Sequence, residues 1–179
     1  MCYAGIDTPN KPRVTLFLAK SFMVKILFVC LGNICRSPLA ESIFNHKIKE
    51  NGLENYFLAE SCGTADYHIG DSPDPRTINS AQRNGIEIQH ICRQLSTDDL
   101  HRFDLIVPMD HSNRSSIFRV ENAAEFRDKI ILIREFDNDG KGKDVPDPYY
   151  GKEKEFQEVF EILNRSVDGL LKYLLEKMK

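Results

Sequence analysis

From residue 23 onward, apolar residues fall into two alternating kinds of spacing. Residues 24–30, VKILFVC, are a short and nearly continuous apolar run, as expected of a strand buried on both faces of a parallel sheet. Beyond it, Leu39, Ile43, Phe44 and Ile48 recur at three- and four-residue steps and give a helix one apolar face. Ser37 is the expected N-cap of that helix, Pro38 lies in its first turn and Gly52 suits its C-terminal cap. Residues 56–60 are a second strand candidate. Residues 74–84 read as a helix closed by Gly85, and a short further segment is expected near 91–93. Residues 103–109, FDLIVPM, read as a strand in spite of Pro108. A weakly marked helix is expected over 111–120 and another strand over 129–133. The chain closes on a long amphipathic helix, 152–177. Its apolar side carries Phe156, Val159, Phe160, Leu163, Val167, Leu170, Leu171, Leu174 and Leu175. Strands alternating with helices imply one α/β domain with a parallel sheet and right-handed crossovers. In such a sheet, ligands bind beyond the carboxyl ends of the strands.

A length of 179 residues suits that single domain and is enough to bury a core. Residues 1–22 differ from the rest. They hold Pro9 and Pro12, then a short apolar patch, 14–19, beside Lys11 and Arg13, which is less than a secretory signal needs. They are read as an N-terminal extension, a loose tail or a misassigned start ahead of Met23, leaving 23–179 as the domain. A net charge of −3 with mixed signs argues against a nucleic-acid partner. No apolar run reaches the roughly 18 residues that would span a bilayer. Five cysteines, an odd number in a chain too large to need disulfide staples, point to free thiols in a reducing cytoplasm. None has zinc-like spacing with histidine, so no metal site is expected.

The chemistry concentrates at the end of the first strand, in VCLGNICRSP, residues 29–38. A strand, a loop with glycine and a helix can turn successive backbone N–H groups inward. They form a concave anion site, reinforced by the positive end of the helix. The loop lacks the G-K-[ST] ending of a nucleotide-binding loop and the three glycines of a dinucleotide fingerprint. It offers instead Cys30 at the base, Gly32 to let it bend, Arg36 as a planar fork for two phosphate oxygens and Ser37 as a donor to the sulfur. Helix N-terminus and guanidinium both favour thiolate over thiol. This arrangement places a nucleophile beneath a bound phosphoryl group. An ester substrate also needs a proton for its leaving oxygen, most of all a phenol, whose pKa is about 10. Asp147 is the candidate acid. It lies in VPDPYYG, residues 145–151, after the strand expected at 129–133 and so at the same edge of the sheet.

VCLGNICRSP together with Asp147-Pro148-Tyr149-Tyr150 resembles the low-molecular-weight protein tyrosine phosphatase family. The likeness extends through 61–64 (SCGT), 70–76 (GDSPDPR), Gly85-Ile86-Glu87 with His90 and Arg93-Gln94, and Phe103 to Ile106 with Met109-Asp110 and Asn113. Residues 1–22 fall outside it. The resemblance implies a flavodoxin-like, Rossmann-like three-layer fold with a four-stranded parallel sheet flanked by helices. It also implies hydrolysis of phosphotyrosine in proteins with no cofactor.

Carried over position by position, Cys30 is the nucleophile that forms a phosphocysteine, Arg36 binds the phosphoryl oxygens, and Asp147 is acid and then base. Leu31, Gly32, Asn33, Ile34, Cys35 and Ser37 build the substrate cradle, with Asn33 holding its bend and Ser61 and His90 supporting it. Tyr67, Tyr149 and Tyr150 wall the mouth with Leu31, and Tyr67 and His68 sit where the family varies and sets substrate preference. Cys35 implies redox regulation through a disulfide with Cys30. Cys62, where the family often has Ala or Gly, reads as a small buried residue. The implied partners are a phosphotyrosine protein as substrate and inorganic phosphate or similar oxyanions as product or inhibitor, acting on a monomer with no membrane partner. Two alternatives share parts of this pattern. A thiol-dependent arsenate reductase shares the loop but needs two further cysteines close together. A catalytically silent phosphotyrosine-binding module would have lost Cys30 or Asp147.

Overall fold

The computed structural model describes residues 23–178. Its sheet has three parallel strands in the order β2-β1-β3: β1 is Val24–Cys30, β2 is Phe57–Gly63 and β3 is Leu105–Pro108. The helices are α1 (Arg36–Glu50), α2 (Pro75–Arg83), α3 (Thr97–Arg102), α4 (His111–Ile117) and α5 (Glu153–Lys177), with 3-10 turns at Ala123–Lys129 and Ile133–Phe136.

The alternation of β1 decides the layers. Ile26, Phe28 and Cys30 pack into a core with α1 and α5, built from residues such as Phe44, Leu163 and Leu170. Leu27 and Val29 face the other way, into a smaller core with Leu100, Phe103, Ile106, Ile117 and Ile130. A strand buried on both faces needs apolar residues at every position, which is what the run over 24–30 supplies. The predicted apolar side of the last helix is buried as expected, apart from half-buried Leu175. This is the three-layer α/β fold.

Four details differ from the sequence expectation. The strand expected at 129–133 contributes one parallel bridge, Ile106 to Ile130, with Ile131 N–H donating to Ile106 O at 3.0 Å. The chain then turns into the 3-10 segment under α5. Phe136 O packs so close to Gly169 that a Cβ there would lie 1.9 Å away. Ile133 is buried in the core with α5 and Ile130 in the smaller core on the other face, without a fourth full strand. The segment near 91–93 is also not a strand; Gln94 makes a single bridge to Gly63. The weak helix over 111–120 ends at Ile117. Finally, α1 begins at Arg36, so Ser37 lies inside its first turn and is not the cap. Pro38 is tolerated there because first-turn N–H groups have no intrahelical acceptor.

β1 is the central strand, and the connections leaving it run to β2 on one side and on to β3 on the other. The crevice of an open parallel sheet lies at such a point. Cys30 is the last residue of β1 and opens onto it.

Candidate active site

The loop from Cys30 to Arg36 is bent by a residue other than the expected glycine. Asn33 has the positive φ, 58°, while Gly32 does not. Asn tolerates this left-handed region because its short amide can bond locally. Gly32 lies close to the His68 ring instead: a Cβ there would lie 3.1 Å from His68 Cδ2, so the ring would have to shift by a few tenths of an ångström. Gly63 gives room from below: a Cβ there would lie 2.7 Å from Leu31 O.

Asn33 ties the loop down with nearly every polar atom it has. Its backbone N–H donates to Cys30 Sγ at 3.2 Å, and its Nδ2 donates to Ser37 Oγ and Ser61 Oγ, both at 2.9 Å. Its Oδ1 accepts from Arg93 N–H at 2.9 Å and faces His90 Nε2 at 2.8 Å. Its carbonyl accepts from Cys92 Sγ at 2.8 Å. Behind it, Glu41 Oε2 accepts from Ser61 Oγ at 2.6 Å and lies 3.0 Å from His90 Nδ1. Ser37 Oγ is 3.0 Å from Cys30 Sγ. Having accepted from Asn33, the hydroxyl keeps its own hydrogen for the sulfur or for Cys62 O at 3.3 Å. Asn33 and Ser37 are therefore fully buried beneath the loop, where Asn33 spans the bend and Ser37 faces the sulfur. Ser61 and His90 stand behind Asn33, as expected.

The N-cap of α1, Cys35, has no side-chain cap bond. The N–H groups at the start of α1 therefore remain available to an anion above Cys30. Arg36 sits at the same end, almost fully buried. Its Nη1 donates to Asp110 Oδ2 at 2.5 Å and Val145 O at 3.2 Å, and its Nη2 donates to Asp147 Oδ2 at 2.6 Å. Burial works against the Arg36 charge, but Cys30, Asp147 and Asp110 outweigh it and hold its pKa above the ordinary value. Asp110 uses its other oxygen to cap α4, accepting from Asn113 N–H at 2.6 Å.

At Cys35, Cys62 and Cys92 burial outweighs the groups that favour the thiolate, such as Thr77 beside Cys35 and Arg93 near Cys62. It pushes the Cys35 thiol up to about 12 and the Cys92 thiol up to about 11, and it raises Cys62 well above its ordinary value. At neutral pH these three are thiols.

A cavity of about 310 Å³ opens above the loop. Its lining joins the loop residues Cys30 to Arg36, apart from Asn33, to Tyr67 and His68. Asp147, Tyr149 and Tyr150 complete it. The structure thus brings together every predicted catalytic residue and the three predicted tyrosines. Tyr150 is 97% exposed and stands edge-on to Tyr149, with ring centroids 5.1 Å apart. Such a mouth can take a flat ring between aromatic faces. Sequence reasoning gave no role to Asp110 or Glu41. Asp110 carried a positional signal, since it follows β3 at the carboxyl edge; Glu41, on the side of α1, carried none.

Fold and site define a cysteine-centred, oxyanion-binding α/β protein. The family profile described as low molecular weight phosphotyrosine protein phosphatase matches residues 25–179. A Schizosaccharomyces pombe protein of that description is 47% identical over 129 residues, covering 72% of this chain and 82% of its own length. A Gallus gallus protein of the same description is 40% identical, covering 80% of this chain and 91% of its own. Among solved structures, YfkJ from Bacillus subtilis superposes with a TM-score of 0.84 at 35% identity, covering 90% of this chain and 100% of its own. A protein tyrosine phosphatase from Entamoeba histolytica, with Hepes in the active site, gives 0.82 at 36%, covering 87% and 99%. The chain belongs to the low-molecular-weight phosphotyrosine protein phosphatase family.

Proposed function

We propose that residues 23–179 form a phosphatase domain that hydrolyses phosphotyrosine in protein substrates through a phosphocysteine. The convergence of Cys30, Arg36 and Asp147 on one cavity is the observation that carries this reading. The printed descriptions of its relatives support the substrate class.

In the first step Cys30 Sγ attacks phosphorus, and the bond from phosphorus to the phenolic oxygen breaks. Arg36 and the loop N–H groups hold the three equatorial oxygens, where the charge of the transition state spreads. Asp147 gives its proton to the departing phenolic oxygen, so tyrosine leaves neutral. In the second step Asp147 takes a proton from water as the water attacks phosphorus. The S–P bond breaks, releasing inorganic phosphate and restoring the thiolate and the protonated acid. Phosphate then competes with substrate for the same cradle.

Cys35 serves a separate reaction. Peroxide oxidises Cys30 to a sulfenic acid, and Cys35 displaces water from it to close a disulfide. The protein acts as a monomer in the cytoplasm in this reading, where thiols stay reduced. Among the described residues, no helix is long and apolar enough to cross a membrane. The arsenate reductase alternative gains nothing from Cys62 and Cys92, which are both buried and lie on separate segments.

The test is p-nitrophenyl phosphate hydrolysis with a chelator present. The parent turns over, Cys30→Ser does not, and Asp147→Ala falls by about 10²-fold or more. No turnover by folded, reduced parent overturns the reading.

A further inference from the structure

An ion pair outside the reacting groups touches both segments that carry them. Asp74 N–H donates to Ile34 O at 2.8 Å, which joins the start of α2 to the backbone of the cradle. The Asp74 carboxylate, only 9% exposed, accepts from the N–H of Arg76 at 2.8 Å, from Nε at 3.0 Å and from Nη2 at 2.7 Å. Arg76 holds Asp74 below the usual carboxylate range, and Asp74 in turn raises Arg76. The fork leaves Nη1 pointing away from Asp74, and it donates to Gly151 O at 3.1 Å. The guanidinium carbon lies 4.6 Å from the Phe156 ring centroid in α5 and 5.8 Å from that of Tyr149.

Gly151 ends the turn that begins at Asp147. Within the turn, Gly151 N–H donates to Pro148 O at 2.7 Å and Tyr149 N–H to Asp147 Oδ1 at 3.1 Å. The near end of the segment is fixed by Val145 N–H donating to Met109 O at 2.9 Å. The far end is fixed by Arg76. Asp147 itself is bonded to Arg36, but a phosphoryl group in the cradle competes for that guanidinium. With substrate bound, the place of the acid depends on the two ends of its segment.

We propose that Arg76 is a positioning residue for the proton-transfer step: through Asp74 and Gly151 it sets the Asp147 turn in register with the phosphate cradle. This rests on Asp147 being the general acid. An acid that is present but displaced by about 1 Å loses most of its effect. The loss is larger for substrates whose leaving oxygen needs a full proton than for those whose phenolate departs more readily.

The test compares kcat/KM for phenyl phosphate and p-nitrophenyl phosphate in the parent, Asp147→Asn, Arg76→Met and the double variant. Asp147→Asn should lose more on phenyl phosphate. Arg76→Met should show the same skew, about tenfold between the two substrates, with phosphate affinity retained. In the Asp147→Asn background it should add no further skew. Arg76→Lys keeps a charge but not the fork and should show a smaller skew, which serves if Arg76→Met folds poorly. An equal loss on both substrates in Arg76→Met or Arg76→Lys overturns the proposal while leaving the phosphatase reading intact. A parent that hydrolyses neither substrate sinks both.

Discussion

Arg36 Nη2 and Asp147 Oδ2 are 2.6 Å apart, so the cation of the cradle and the proposed acid are bonded to each other. Asp110 holds Nη1 of the same guanidinium at 2.5 Å. A dianion entering the cradle must compete with Asp147 for Arg36, whereas Asp110 can stay and keep the guanidinium in plane. Asp147 is half-exposed, so its ion pair is worth less than a buried one.

Asp147→Asn should therefore bind inorganic phosphate more tightly, by about two- to fivefold, because it removes a competing charge. Titration calorimetry of the two proteins reads this directly. Weaker binding by the variant would mean that the carboxylate helps hold the anion instead of competing with it.

Asn33 combines a left-handed backbone with a buried bonding hub, and two variants separate these roles. Asn33→Gly keeps the backbone and strands the partners of the amide, at a cost of about 2–3 kcal/mol. Asn33→Ala adds the strain of a Cβ at positive φ, about 1 kcal/mol more. Urea denaturation should rank them parent, Gly, Ala. An Ala variant as stable as the Gly variant would remove the backbone from the argument.

The bend and its hub show where sequence reading stops. Cys30, Arg36 and Ser37 were legible because the chemistry lies within eight consecutive residues after an apolar strand. Asp147 was legible because the order of elements puts it at the same sheet edge. Gly32 was the natural guess for the bend, yet Asn33 takes it, since its amide also bonds Ser37 and Ser61. Ser37 was read both as a cap, because Ser-Pro opens many helices, and as a donor to the sulfur; it is not the cap, and its hydroxyl faces Cys30. The carboxylates that hold Arg36, and Ser61, His90 and Arg93 around Asn33, lie tens of residues away, and no local spacing announces such pairs. The fourth strand shrinks to one bridge because the chain turns into a 3-10 segment at Ile133, and the apolar residues around that turn are shared between the two cores, Ile130 on one face and Ile133 on the other.

Acid stability should depend on Asp99, which is buried and bonded to Arg93 Nη1 at 2.8 Å and Ser96 N–H at 2.9 Å. Burial alone would raise its pKa, but Arg93 and Ser96 outweigh burial and hold it below the ordinary value. Its contribution is thus present above the unfolded pKa of about 3.9 and lost as pH falls through the lower folded value. The urea midpoint of the parent should fall through that acid window. Asp99→Asn should be less stable at neutral pH and fall less steeply. Parallel curves would contradict the assignment.

Cys35 should resist alkylation. With its thiol pushed up to about 12, little thiolate exists at neutral pH. Iodoacetamide should modify Cys30 and spare Cys35, as fragment-ion mass spectrometry of the tryptic peptide spanning 26–36 would show, and phosphate should protect Cys30. Closure of the Cys30–Cys35 disulfide under peroxide should correspondingly speed up as pH rises. Rapid labelling of Cys35 at neutral pH would contradict both.

The most direct measurement is to quench the reaction of an aryl phosphate with Asp147→Ala and locate the phosphoryl group by mass spectrometry. The account predicts one phosphoryl group on Cys30 Sγ, accumulating because the base for its hydrolysis is gone, and none in Cys30→Ser. Phosphate release with Cys30 never phosphorylated, or a phosphoryl group on another side chain, would contradict it.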